Sequence, residues 1–180
     1  MRIQAKKNNQ YVVCKGDIFE TSREVVMSKE NGSTVIIPNI CDNQNIFAGA
    51  FCAKLSQHYP IVKQNFHLLY PKIKLGHNQY IEVLRDKQYS HSLIVVNMFA
   101  QKGIKNVNNR RPINYAALSY CMTTLAGYVQ NYAKSNENNR IQIHCPKLGT
   151  GHSGGSWKFI SELIEDTWGN IRNIFVYPNF

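Results

Sequence analysis

Glycines crowd a short stretch near the end of the chain, GTGHSGG at residues 149–155. Glycine lets the backbone adopt positive φ and lets amides approach a ligand without interference from a Cβ atom. A helix predicted to begin near Ser156 would add unpaired N–H groups and the positive end of its dipole. These features favour an anion-binding loop, best suited to phosphate, over a plain flexible turn. Further donors could come from Thr150, His152 and Ser153.

A second loop with similar features follows the continuous apolar stretch at residues 33–41. Three small residues, Ala48, Gly49 and Ala50, precede an apolar pattern with helical spacing, and they would let a ligand lie against the backbone. The loop also carries side chains able to bond to sugar hydroxyls, from Asn39, Asp42, Asn43 and Asn45. An asparagine-rich loop that only caps a helix would explain the same residues equally well.

A third turn, KGDIFE at residues 15–20, places the carboxylate of Asp17 directly after the first predicted strand. A single acid in this position could cap a turn. Beside a nucleotide it could instead accept a hydrogen bond from an amino group such as the exocyclic amine of adenine. The residue alone is compatible with both roles.

All three turns follow predicted strands. Alternating or continuous apolar patterns predict strands at residues 10–17, 33–41, 79–86, 90–101, 140–148 and 171–180. Helical spacing predicts helices at 50–60, with Pro60 as a stop, at 113–135 and 156–168, and one or two turns at 61–73. This alternation predicts a three-layer α/β/α fold, a mixed sheet covered by helices on both faces. Because ligands bind beyond the carboxyl ends of such strands, the three turns should border one crevice.

Length and composition are those of a single domain spanning residues 1–180. With 43% hydrophobic and 18% charged residues, the chain can bury a core. Its net charge of +10 favours an anionic partner such as a nucleotide or a nucleic acid. No apolar stretch is long enough to cross a membrane, and the N-terminus lacks the apolar core of a signal peptide. We therefore expect a cytoplasmic protein without a membrane partner.

Five cysteines stand singly in apolar surroundings, at positions 14, 41, 52, 121 and 145. None belongs to a C-x-x-C pair, so they predict buried thiols in a reducing compartment and neither disulfides nor a zinc site. No cluster of His, Asp and Glu has the spacing of metal ligands. We therefore expect no metal and no cofactor.

Four motifs, taken in order, resemble those of the macrodomains: KGDIFE, VIIPNICDNQNIFAGAFCAKL, NMFAQKGI and CPKLGTGHSGGSW. The resemblance covers nearly the whole chain. It is closer to the branch of ADP-ribose-1″-phosphate phosphatases and of deacylases that act on ADP-ribosylated carboxylates. It implies a mixed sheet between helices, and ADP-ribose or a derivative as the ligand.

The resemblance also implies roles for individual residues. Asp17 would bind the amino group of adenine, with the amide of Ile18 nearby, and Tyr177 or Phe175 would stack on the adenine ring. The first diphosphate loop would comprise Ala48, Gly49, Ala50 and Phe51. The second would comprise Gly149, Thr150, Gly151, His152, Ser153 and Gly154.

By the same resemblance, Asn39 and Asp42 lie at the distal ribose, where a phosphate or an ester at C1″ would be hydrolysed. Asp42 could orient or deprotonate the water, and His152 could donate to the leaving group or stabilise charge on the phosphoryl oxygens. The implied partners are ADP-ribose or a derivative, free or carried on a protein or a nucleic acid. A hydrolase of this kind is the leading hypothesis.

Several residues depart from the pattern of that branch. Gln101 stands where the deacylases have a lysine, with Lys102 beside it. Ser153 and Ser156 stand where related members have acids. An uncharged site could bind without turnover, so the alternative is a non-catalytic reader or sponge for ADP-ribose derivatives. The net charge alone supports a third hypothesis, a nucleic-acid-binding protein.

Overall fold

The computed structural model describes residues 6–8, 11–29, 32–135 and 140–179. Within these ranges, one sheet contains the strands β1 (Lys6–Asn8), β2 (Tyr11–Val13), β3 (Thr34–Asp42), β4 (Asn78–Arg85), β5 (Ser92–Gln101), β6 (Ile141–Pro146) and β7 (Ile174–Tyr177). The helices are α1 (Ile18–Met27), α2 (Ala50–His58), α3 (Pro60–Leu68), α4 (Tyr115–Ser135) and α5 (Trp157–Trp168). None of the helices in the described ranges is long and apolar enough to span a bilayer.

The sheet is mixed, with parallel strands in the middle and an antiparallel pair at each edge. Its strand order is β1-β2-β7-β6-β3-β5-β4, and only the pairs β1–β2 and β4–β5 are antiparallel. Every residue of β3 and β5 is buried, as expected for central strands covered on both faces. Because β3, β5 and β6 are parallel, their carboxyl ends lie at the same edge of the sheet.

Helices cover both faces of the sheet, and successive residues of β3 show the division. Ile36 belongs to the same hydrophobic cluster as Leu118 of α4 and Ile164 of α5. Val35 and Ile37 point to the opposite face, into the cluster built with α1, α2 and α3. This alternation is the normal consequence of the strand pleat. The two clusters confirm the predicted three-layer α/β/α fold with a mixed sheet.

One helix was missed by the sequence prediction, and another begins at the residue predicted as a stop. The residues after Asp17 were assigned to a turn, but they form α1, whose buried side is made by Ile18, Phe19, Ser22 and Val26. Pro60 was predicted to end a helix, and α2 does end just before it, at His58. Pro60 is also the first residue of α3, where its missing N–H group costs nothing.

The sequence prediction can also be compared with the structure at the ends of the chain and at the cysteines. The short strand β1 was not predicted, and Gln10 and Phe180, at the outer ends of two predicted strands, lie outside the described residues. All five cysteines are buried and free, as predicted. The part of the chain that the structure describes contains no group of three or more His, Cys, Asp and Glu side chains able to hold a metal ion.

Candidate functional site

A cleft opens at the carboxyl edge of the sheet, between the loop before α2 and the loop before α5. It encloses about 690 Å³ of space, the open mouth included. Residues 48–51 form one wall and residues 147–153 form the other. The remaining lining is Asn39, Ile40, Cys52, Gln101, Pro146 and Pro178. A Cβ atom built on Gly49 would lie 3.9 Å from the Cβ of His152, so the two glycine loops face each other.

The first loop is held in shape by the carboxylate of Asp42, the last residue of β3. Its Oδ1 accepts hydrogen bonds from the amides of Gln44 at 2.8 Å and Ile46 at 3.0 Å, and its Oδ2 accepts from Phe47 at 2.8 Å. Asp42 is only 2% exposed and is not among the residues that line the cleft. The geometry therefore gives Asp42 a structural role, and its action on a water molecule stays a prediction.

Three glycines of the second loop are required by the fold itself. A Cβ atom on Gly149 would lie 2.8 Å from Cδ1 of Ile113, and one on Gly154 would lie 2.8 Å from the carbonyl oxygen of Arg110. Both glycines have positive φ, 67° and 66°. A Cβ atom on Gly155 would lie 2.8 Å from the carbonyl oxygen of Gly149, to which the Gly155 amide also donates. These contacts shape the loop whether or not a ligand is bound, and Gly154 itself lies outside the cleft lining.

Gly151 differs from these three glycines. No described heavy atom outside its chain neighbours lies within 4 Å of a Cβ atom built on it, and its φ is not among the positive values. It is exposed and lines the cleft. The packing of the described chain gives no reason for a glycine here, whereas a ligand lying against the backbone would give one.

The two helices that follow the glycine loops, α2 and α5, lack a side-chain cap. The N-cap residues Gly49 of α2 and Ser156 of α5 make no capping hydrogen bond through a side chain. By contrast, Asp17 caps α1, because its Oδ1 accepts from the amides of Phe19 at 2.7 Å and Glu20 at 3.0 Å. The first-turn N–H groups and the positive dipole end of α2, whose first three residues line the cleft, therefore favour an anion there. α5 begins at Trp157, just beyond the residues of the second loop that line the cleft.

The residues predicted to bind adenine are not among those lining the cleft. Asp17 is half-buried and caps α1, and the side chain of Ile18 is fully buried in the core. Tyr177 is 1% exposed, with its hydroxyl 3.2 Å from Nδ1 of His144. The ring is therefore part of the core in this structure, and the stacking of Tyr177 on adenine stays a prediction. Phe175 is half-buried and packs edge-on against His144.

Asn39 lines the cleft as the sequence predicted, but sequence reasoning missed the network that holds it. Its Nδ2 donates to Oδ1 of Asn97 at 3.0 Å and to Sγ of Cys41 at 3.1 Å, and its Oδ1 accepts from the thiol of Cys52 at 3.3 Å. Asn97 in turn donates to Gln79 at 3.0 Å. Because an amide oxygen has two lone pairs, the Oδ1 of Asn39 could accept one further bond from a ligand hydroxyl.

No protein-family model and no curated protein matches the sequence. Among solved structures, a Bacteroides thetaiotaomicron protein of unknown function is 22% identical, with a TM-score of 0.71 over 94% of this chain and 99% of that one. A macrodomain protein from Streptomyces coelicolor is 20% identical, with a TM-score of 0.65 over 95% of this chain and 99% of that one. This chain has the macrodomain fold.

A further similar structure is that of Thermosipho africanus DarTG in complex with ADP-ribose. It is 11% identical and has a TM-score of 0.67 over 97% of this chain and 43% of that one. At these identities the likeness establishes the fold, and it confirms the resemblance to macrodomains that the sequence motifs indicated.

Gln101, which stands where the deacylases have a lysine, is the last residue of β5. Its Oε1 accepts from the hydroxyl of Ser153 at 2.8 Å, and its Nε2 donates to the carbonyl of Gly103 at 2.8 Å. Both Gln101 and Ser153 are buried and line the cleft. This uncharged pair ties the second loop to β5.

The charge of the cleft favours an anion. None of its described lining residues is acidic, and Lys147 and His152 supply basic groups. The neighbouring segment 102–111 contains four basic residues and no acid. It leads directly to Ile113, whose amide donates to the carbonyl of Ser153 at 3.1 Å. The basic segment therefore lies beside the second loop.

Proposed function

We propose that this protein binds ADP-ribose, or a derivative of it, through the diphosphate in the cleft between the two glycine loops. The observation that carries the proposal is Gly151, an exposed glycine in the cleft wall that the packing of the described chain does not require. A diphosphate against its backbone would explain this glycine, because amides could then approach the phosphate oxygens without an intervening Cβ atom.

The two walls of the cleft support a ligand with two adjacent anionic groups. The N-terminus of α2 lines one wall without a side-chain cap, and it offers N–H donors and a partial positive charge to one phosphate. The second loop lines the opposite wall, where its backbone amides could approach the other phosphate. Lys147 and His152 add basic groups, and the described lining contains no carboxylate that would repel the ligand.

The polar end of the cleft supports a sugar next to the diphosphate. Asn39, Gln101 and Ser153 offer uncharged donors and acceptors there, fixed by their own hydrogen bonds. Such groups match ribose hydroxyls, which both donate and accept. The ADP-ribose bound by Thermosipho africanus DarTG supports choosing this compound among diphosphates with a sugar on each side. We also propose, as the sequence predicted, that Asp17 and the amide of Ile18 contact the adenine.

Isothermal titration calorimetry with ADP-ribose, ADP and AMP tests the proposal. ADP-ribose should bind with a dissociation constant on the order of micromolar. ADP should bind more weakly because it lacks the distal ribose, and AMP more weakly still because it lacks the second phosphate. The absence of any heat with ADP-ribose, or equal affinity for AMP and ADP-ribose, would contradict the diphosphate assignment.

A second candidate function is hydrolysis of a phosphate or an ester at C1″ of ADP-ribose. The observation that favours it is His152, whose exposed imidazole lines the cleft opposite Gly49. Imidazole is the side chain most often used for proton transfer. With Asp42 engaged by its own loop, His152 would have to act without a neighbouring carboxylate from the described lining.

Turnover assays separate the two functions. ADP-ribose-1″-phosphate and an ADP-ribosyl ester are incubated with the protein and with a His152→Gln variant. Product from the wild type and none from the variant would support hydrolysis. Binding without product from either substrate would leave a reader or sponge for ADP-ribose derivatives.

A further inference from the structure

Two thiols meet at the floor of the cleft. Cys41 lies near the end of β3 and Cys52 in the first turn of α2, and the two are within hydrogen-bonding range of each other. Both also bond to one carboxamide: the Nδ2 of Asn39 donates to Cys41 at 3.1 Å, and Cys52 donates to the Oδ1 of Asn39 at 3.3 Å. The same carboxamide therefore helps to hold both side chains in place.

The two thiols differ in their access to the cleft. Cys52 lines it and is 4% exposed, whereas Cys41 is 1% exposed and is not among the lining residues. A small reagent that enters the cleft therefore meets Cys52 first, with Cys41 behind it.

Cys52 is also the better nucleophile of the pair. Its position in the first turn of α2 favours the thiolate, because the N-terminal end of a helix is positive. The hydrogen bond from Cys41 lowers the pKa of Cys52, whereas burial raises the pKa of Cys41. One thiol is thus disposed to attack, and its neighbour remains protonated beside it.

We propose that Cys52 is a site of reversible oxidation by peroxides, that Cys41 is its resolving thiol, and that the resulting disulfide weakens ligand binding in the cleft. The thiolate of Cys52 attacks the O–O bond of hydrogen peroxide, which gives a sulfenic acid on Cys52 and, after uptake of a proton, one water. The thiol of Cys41 then attacks that sulfur, forms the S–S bond and releases a second water. The two electrons pass from the thiols to the peroxide, and a reducing dithiol reverses the reaction by exchange.

Disulfide formation would move the first loop. Sulfur atoms joined by a bond are about 2.05 Å apart, roughly 1.5 Å closer than thiols in hydrogen-bonded contact, so the start of α2 must approach β3. Gly49 and Ala50 precede Cys52 directly and would move with it. The bond also removes the thiol proton that the Oδ1 of Asn39 accepts. This consequence rests on the proposed function, because it concerns the same cleft.

Peptide mass spectrometry tests the disulfide without any ligand. Residues 30–54 contain both cysteines and no internal Lys or Arg, so trypsin releases them as one peptide. Hydrogen peroxide applied to the folded protein should remove two hydrogen atoms from this peptide, and dithiothreitol should restore them. A Cys41→Ala variant should stop at a sulfenic acid on Cys52, which dimedone traps, and a Cys145→Ala variant should respond like the wild type. An unchanged peptide, or oxidation at Cys41 without Cys52, would overturn the proposal.

Calorimetry with ADP-ribose tests the effect on binding. The oxidised protein should bind at least about tenfold more weakly than the reduced protein, and dithiothreitol should restore the affinity. A complete disulfide with unchanged affinity would overturn the binding effect. If the reduced protein does not bind ADP-ribose, the proposed function fails, while the mass measurement still decides whether Cys41 and Cys52 form the disulfide.

Discussion

Replacing Gly151 by alanine should weaken ligand binding while leaving the fold intact. A Cβ atom at this position meets no described atom within 4 Å beyond its chain neighbours, and φ lies outside the left-handed region. The fold should therefore accept alanine without strain. The variant should even gain about 0.4–1 kcal/mol of stability, because alanine restricts the unfolded chain more than glycine does.

The loss of affinity follows from the contacts that the new methyl group would displace. Hydrogen bonds from amides to a charged oxygen contribute about 1.5–3 kcal/mol each. Loss of one such bond at Gly151 corresponds to a dissociation constant raised by about 10- to 150-fold. Chemical denaturation measures the stability, and calorimetry with ADP-ribose measures the affinity.

Two other glycines give matched controls. Gly127, in α4, also has nothing within 4 Å of a built Cβ atom but lies outside the cleft lining, so Gly127→Ala should leave affinity unchanged. Gly149→Ala should instead destabilise the protein by about 1–3 kcal/mol, because its Cβ atom would lie 2.8 Å from Ile113 and 2.9 Å from Ile160. Wild-type affinity in Gly151→Ala would refute the reasoning, since the cleft glycine that packing leaves unexplained would then not contact the ligand.

Three further predictions concern stability. Burial lowers the pKa of His144 to about 3, from 6.5 in an unfolded chain. Because the unfolded chain then binds a proton that the folded protein does not, the free energy of unfolding should fall by about 2 kcal/mol between pH 7.5 and pH 5. Denaturation curves of a His144→Asn variant should lack this pH dependence. Asp42→Asn should cost about 2–3 kcal/mol in the same assay, because the amide cannot accept all the bonds that hold the first loop. Asp17→Ala should lower the free energy of unfolding by about 1 kcal/mol and Asp17→Ser by much less, since serine also caps a helix. Reduced ADP-ribose affinity in the Asp17→Ser variant would support the predicted adenine contact, and unchanged affinity would argue against it.

The layered fold was readable from the sequence because burial leaves a direct pattern. The continuous apolar stretch at 33–41 is fully buried in the centre of the sheet, and the amphipathic pattern at 156–168 is α5. α1 was missed because Asp17 was considered as a ligand-binding or turn residue. A lone acid after a strand is equally compatible with a helix cap, and only the hydrogen bonds to Phe19 and Glu20 distinguish the two.

The candidate site was readable only in outline. The glycine pattern predicted two loops that face one cleft, but it could not separate Gly149, which packs against Ile113, from Gly151, which packs against nothing described. The direction of the Asp42 carboxylate depends on how the loop after β3 folds back, with positive φ at Asn45 and Phe47. That path is a property of the tertiary structure, and so is the meeting of a strand cysteine with a helix cysteine at residues 41 and 52.

A crystal structure of the protein grown with ADP-ribose tests the central claim most directly. We expect the diphosphate to lie between residues 48–51 and 149–153. Its phosphate oxygens should be within hydrogen-bonding distance of backbone amides, and one oxygen should contact Gly151. A nucleotide bound elsewhere on the surface, or a diphosphate held by side chains alone and away from Gly151, would contradict it.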